Sequence, residues 1–142
     1  MSLPATPPSP CLHLGAVLIL GVGIDVISVT RVARALATYG QRFEERVFTA
    51  GERRDCAERV DRHQALAARF AAKEACLKAL GTGWRDGFAL RQVEVVRGEG
   101  GAPTLRLSGP TAEHAQSLGV RRLHVSLTHH EDIAAAAVVL ES

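Results

Sequence analysis

Residues 69–83, RFAAKEACLKALGTG, place an acid and a base, Glu74 and Lys78, four positions apart on an alanine-rich segment that runs into a glycine turn. On a helix turning about 100° per residue these two side chains share one flank, with the small Ala67 and Ala71 beside them, so something other than side chains could fill that space. A plain surface ion pair is the bland alternative. A third charged group, Asp25, interrupts the apolar run 16–27 (AVLILGVGIDVI). A carboxylate inside such a run costs several kcal/mol, on the order of an unpaired buried charge, unless it meets a cation, so its presence needs a reason. Two oxygen donors from different elements, Asp25 and Glu74, are a typical protein share of a magnesium site, because Mg²⁺ keeps waters and takes its other oxygens from phosphates. Lys78 would meet a further phosphate. His129, in SLTHH, is a fourth candidate. The adjacent His129 and His130 are weak evidence for zinc, since neighbouring strand residues point to opposite faces.

The elements that must position these groups are legible from their periodicities. The run 16–27 reads as a strand covered on both faces. Ser28 or Thr30 caps a helix reaching about Tyr39, where Gly40 stops it, with Val29, Val32, Ala33 and Leu36 at helical spacing. Thr49 followed by Glu52 is a capping-box pattern that starts a short helix. In the long helix, Leu66, Phe70, Leu77 and Leu80 form an apolar stripe. Ala68, Ala72, Ala75 and Ala79 form a small ridge that lets another backbone approach closely. Gly81 and Gly83 suit the positive φ of a helix end and turn. Leu90, Val93 and Val95 then alternate, GEGGAP at 98–103 turns the chain into a hairpin, and Gly109 and Pro110 open a helix to about Ser117, ended by Gly119. Two last strands, 122–128 and 133–140, flank a polar turn at 129–132. This order predicts an α+β fold with a mainly antiparallel sheet packed on a long central helix.

The 142 residues, 46% hydrophobic, allow one sizeable core, expected over residues 16–142 behind a flexible proline-rich tail, residues 1–15. A net charge of +2 and 4% aromatic residues give no bulk polycation or stacking motif for nucleic acid. Six arginines against three glutamates across 31–54, a local net of +3, offer a landing strip for an acidic partner, or a solvated face with internal ion pairs. Three cysteines (Cys11, Cys56, Cys76) without a CxxC fit a reducing cytoplasm, and Cys76 reads as a small core residue. The apolar run near the start is too short to cross a membrane, and the tail lacks a basic n-region.

Residues 21–32 (GVGIDVISVTRV), 48–52 (FTAGE), 69–83 and 125–141 (VSLTHHEDIAAAAVVLE) together resemble the bacterial holo-acyl-carrier-protein synthase family of phosphopantetheinyl transferases, in the family's order and at its approximate spacing from about Leu20 to the C-terminus. The resemblance implies the 4'-phosphopantetheinyl transferase fold and a role in fatty-acid synthesis. The implied reaction moves 4'-phosphopantetheine from coenzyme A to a serine of apo acyl carrier protein and releases adenosine 3',5'-bisphosphate. It makes Asp25 and Glu74 the Mg²⁺ ligands against the pyrophosphate, with Glu74 also orienting or deprotonating the nucleophile, directly or through a bound water. Lys78 neutralises phosphate charge. Gly81, Thr82 and Gly83 lie beside the nucleotide, and Ser126, Thr128 and His129 come to the same site. Arg31, Arg42 and Phe43 match positions that contact the acidic carrier. A homotrimer with sites at protomer interfaces is implied in the same way. The tail and residues 84–88 (WRDGF) have no counterpart with a role. A carrier-protein or coenzyme A binding module without catalysis is the competing expectation.

Overall fold

The computed structural model describes residues 15–83 and 89–142, so the tail up to residue 14 and the WRDGF segment lie outside the described residues. The chain forms β1 (Ile19–Ser28), α1 (Val29–Tyr39), α2 (Gln41–Val47), α3 (Ala50–Ala57) and α4 (Arg62–Ala79). A 3₁₀ turn (Leu90–Gln92) then leads into β2 (Val93–Arg97), a second (Glu99–Gly101) into β3 (Pro103–Leu107), and α5 (Gly109–Ser117), β4 (Arg122–His130) and β5 (Ile133–Glu141) follow. The α+β expectation holds: β1, β5 and β4, in that order, make an antiparallel sheet, β2 and β3 make a hairpin, and α4 packs on the sheet.

The small ridge of α4 explains how closely helix and sheet approach. A Cβ added at Gly23 would lie 1.9 Å from the Ala75 carbonyl oxygen, and one at Gly21 would lie 2.2 Å from that of Ala79. Only glycine on β1 and alanine on α4 allow these backbones to touch. Leu66, Leu77 and Phe48 fill the core on the helix's other side, each contributing on the order of 2 kcal/mol through burial. Ala67 and Ala71 are also fully buried. The space beside Glu74 that the sequence left open is therefore filled by protein along that part of the helix.

Alternation along β1 corrects a second expectation. Gly21, Gly23, Asp25 and Ile27 face α4, whereas Val22, Ile24 and Val26 face away and are 64%, 64% and 62% exposed. Among the described residues the strand is covered on one face only. On that outer face Val139 stands opposite Val22, Ala137 opposite Ile24 and Ala135 opposite Val26, giving a broad apolar surface.

The helix α2 is a further departure, since residues 41–47 show only a charged arginine-rich stretch in sequence. Its start follows Gly40, whose φ of 57° breaks α1, and an Arg62–Glu44 ion pair ties it to α4. The two histidines lie inside β4 and not in a turn. The reversal is confined to Glu131, at φ 52°, and Asp132.

Asp132 clasps the start of α1. Its carboxylate accepts from Ser28 Oγ at 2.7 Å, from the Thr30 amide at 2.7 Å and from Thr30 Oγ1 at 2.5 Å. The hydrogen bonds from Thr30 and then Ser28 hold this carboxyl below its ordinary value. Because the folded value is depressed, the stabilisation is present above the ordinary carboxylate range and is lost as pH falls through the folded value. We expect Asp132→Ala to lower the melting temperature at neutral pH, with the difference from the parent closing on acidification. A constant difference across pH in paired thermal melts would contradict this role.

Candidate active site

The site grows from three local facts. Asp25 points from the inner face of β1 and Glu74 from α4, and Ser28 caps α1 by accepting from the Arg31 amide at 3.2 Å, setting Arg31 at the helix start. These elements enclose a cleft of 390 Å³ lined by Asp25, Ile27, Arg31, Phe43, Phe70 and Glu74, among others. Asp25 and Glu74 line the same cleft, near enough for each to feel the other's charge. Burial, followed by the like charge of Asp25, pushes the Glu74 carboxyl above its ordinary value, while Lys78 and Arg31 pull it back. Lys78 Nζ donates to Asp25 Oδ1 at 2.9 Å and to the Ile24 carbonyl at 3.1 Å. The acid and base read as an i,i+4 pair are thus joined through Asp25 on the neighbouring strand.

This donor set fits a hard divalent cation. Two carboxylates converge where their mutual repulsion is felt, on a cleft open for further oxygen ligands, and a lysine ammonium already sits against one of them. Among the described residues no group of three or more His, Cys, Asp or Glu side chains could hold a metal.

Beyond α4, Gly81 and Gly83 adopt φ of 75° and 59°, as their turn requires. The Thr82 amide donates to Leu77 O at 3.1 Å, and His114 Nε2 on α5 meets Leu80 O at 3.0 Å, bracing the same turn. Arg42 and Phe43 line a second cleft of 570 Å³ with Thr38, Tyr39 and Arg46. Phe43 lines both clefts and stacks on Phe70 with ring centroids 6.5 Å apart, so the arginine strip adjoins the carboxylates.

A family model described as the 4'-phosphopantetheinyl transferase superfamily matches residues 21–138. The chain belongs to that superfamily. The holo-[acyl-carrier-protein] synthase of Koribacter versatilis is 46% identical over 124 residues, spanning 87% of this chain and 99% of its own. The crystal structure of holo-[acyl-carrier-protein] synthase from Neisseria meningitidis matches with a TM-score of 0.80 at 33% identity, covering 88% of this chain and all of that one. The Bacillus anthracis synthase, solved in complex with CoA (3',5'-ADP), matches with a TM-score of 0.72 at 34% identity, covering 89% and 99%.

Within one copy of this transferase the β4 residues are not brought to the carboxylates. His129 shares a row with Ala134 and Ile27, which puts two strand spacings, about 10 Å, between it and β1. Its Nε2 lies 3.7 Å from Asp61, a carboxyl that a hydrogen bond from Arg59 holds down at about 2. Ser126 and Thr128 face the outer side of the sheet, opposite Asp25. Cys76 is fully buried and burial pushes its thiol up to about 12, as suits a core residue.

One feature that the sequence reading passed over is Lys73. It falls on the apolar stripe, in line with Leu66, Phe70 and Leu77, and is fully buried against Glu52. A lysine inside a greasy stripe was the available signal.

Proposed function

We propose that this chain transfers 4'-phosphopantetheine from coenzyme A to a serine hydroxyl of apo acyl carrier protein, yielding holo carrier protein and adenosine 3',5'-bisphosphate. The observation that carries this reading is the convergence of Asp25 and Glu74 on a cleft edged by Arg31, with Lys78 paired to Asp25, in a chain related along most of its length to holo-[acyl-carrier-protein] synthases. Asp25 and Glu74 hold Mg²⁺, which supplies positive charge against the pyrophosphate oxygens. Lys78 adds charge to the phosphates from the same side, and the turn at Gly81, Thr82 and Gly83 borders the nucleotide. Glu74 accepts the serine proton, directly or through a water, as the oxygen attacks the β-phosphorus and the bisphosphate leaves. Such a transfer needs in-line positioning and charge more than covalent help. Arg31, Arg42 and Phe43 receive the acidic carrier, so the rate falls as salt is raised.

The outer sheet face supports assembly as a trimer, because Val22, Ile24 and Val26 would otherwise stay in water. Ser126, Thr128 and His129 then serve the site of a neighbouring protomer, consistent with their distance from Asp25 in their own. Val22→Glu, on that face and away from the carboxylates, is expected to give monomers with little activity by sedimentation and assay. A fully active monomer would refute the shared site. No described helix is long and apolar enough to cross a membrane, and buried free Cys56 and Cys76 suit a reducing setting, which we take to be the cytoplasm in support of fatty-acid synthesis.

Intact mass spectrometry of an apo acyl carrier protein incubated with this chain, coenzyme A and Mg²⁺ tests the reaction. The expected result is a gain of one phosphopantetheine that disappears with EDTA. Saturable carrier binding with no mass gain would favour a binding module instead.

A further inference from the structure

Lys73 and Glu52 form an ion pair with both side chains fully buried, Nζ standing 2.5 Å from Oε1. Every hydrogen-bonding capacity of the ammonium is used: its other acceptors are Leu90 O at 3.1 Å and Val93 O at 2.5 Å. The carboxylate is equally engaged, Oε1 accepting from the Thr49 amide and Oε2 from the Val95 amide, each at 2.9 Å. One saturated pair thereby bolts α4 to the start of α3 and to β2.

Stability alone does not account for such a pair. Desolvating two charges offsets most of their attraction, and well-packed apolar residues in the same place are often as stable or more so. What the pair adds is direction, and α4 needs it. Its sheet-facing side is a ridge of alanines against glycines, and the close Gly23–Ala75 and Gly21–Ala79 approaches fix how near the helix lies. A ridge of single methyl groups presents no large knob to resist a small rotation or slide. Glu74 follows Lys73 directly, so any such movement carries its carboxylate relative to Asp25 on β1. A 20° rotation displaces a side-chain tip about 6 Å from the axis by about 2 Å.

We propose that the Glu52–Lys73 pair is a positioning device for Glu74, setting the rotation and axial register of α4 so that the two carboxylates converge on one cation. This rests on the reading of Asp25 and Glu74 as metal ligands. Partners behind a ligand typically tune metal affinity or activity by about 10- to 100-fold, and a misplacement of about 1 Å can cost about 100-fold in rate.

The test is the double variant Glu52→Gln/Lys73→Met, which removes both charges without orphaning one. Mn²⁺ binding followed by electron paramagnetic resonance in the presence of coenzyme A gives a readout independent of turnover, alongside thermal melts and steady-state kinetics. With cooperative melting retained, Mn²⁺ affinity should weaken at least about tenfold and kcat should fall about 10- to 100-fold, with KM for the carrier within about threefold. A folded double variant with Mn²⁺ affinity and kcat within twofold of the parent overturns the proposal. If the double variant does not fold, Glu52→Asp decides, because it keeps both charges and withdraws the carboxylate by one methylene. Tenfold weaker Mn²⁺ binding supports the positioning role, and parent-like binding overturns it. Glu74→Gln run in parallel separates the two levels: parent-like Mn²⁺ affinity there removes Glu74 as a ligand whatever the pair does.

Discussion

Glu74→Gln is expected to lower kcat for phosphopantetheine transfer by about a thousandfold or more while leaving the melting temperature unchanged or raised. The rate loss follows from removing a cation ligand and proton acceptor in one step, and positioned acid–base groups alone are worth about 10²- to 10⁴-fold. The stability sign follows from the environment of the carboxyl. Burial, then the charge of Asp25, raises its folded pKa, so the folded state holds that proton more tightly than the unfolded chain does. A raised carboxyl value means that stability is lost as pH climbs from the ordinary carboxylate range through the folded value. Glutamine carries no such penalty. The melting temperature of the variant minus that of the parent, measured without divalent cations, should therefore grow as pH rises above the ordinary carboxylate range. Added Mg²⁺ should reverse the order by favouring both charged carboxylates in the parent. Retained activity would exclude Glu74 from the chemistry. A large drop in melting temperature together with lost activity would make its role structural.

Gly23→Ala should destabilise the fold by about 3 kcal/mol, at or beyond the upper end of ordinary overpacking. The added methyl would meet three backbone atoms of α4, 1.9 Å from Ala75 O, 2.8 Å from Ala75 C and 2.9 Å from Ala79 N, and none of these can rotate away as a side chain would. Relief requires β1 and α4 to separate. Asp25, two residues along β1, would then withdraw from Glu74, so activity measured where the variant remains folded should fall as well. Chemical denaturation gives the first quantity and a turnover assay the second. A variant within 0.5 kcal/mol of the parent, the scale of an ordinary surface change, would show that the helix and strand have slack between them.

The sequence by itself determined what is written in local periodicity and residue chemistry. Alternation at Val93 and Val95, the Thr49–Glu52 capping box, the alanine ridge and the glycines at 81 and 83 each describe a few neighbouring residues and found their expected place, whereas Leu90, expected in the same alternation, falls in the 3₁₀ turn ahead of β2. Asp25 and Glu74 were conspicuous because carboxylates are costly in apolar or alanine-rich surroundings. What local pattern cannot encode is which elements become neighbours. The order β1–β5–β4 inserts β5 between Asp25 and His129, and the same alternation that buries Leu127 turns Ser126 and Thr128 outward. The short α2 depends on Arg62 and Phe70, both on α4, and Lys73 is satisfied by a glutamate and carbonyls from three separate segments. The apolar face of β1 reads as buried in sequence, yet among the described residues of one copy none covers it. Spacing along the chain sets backbone period and side-chain direction, whereas burial and long-range pairing are settled only when distant segments compete for the same surfaces.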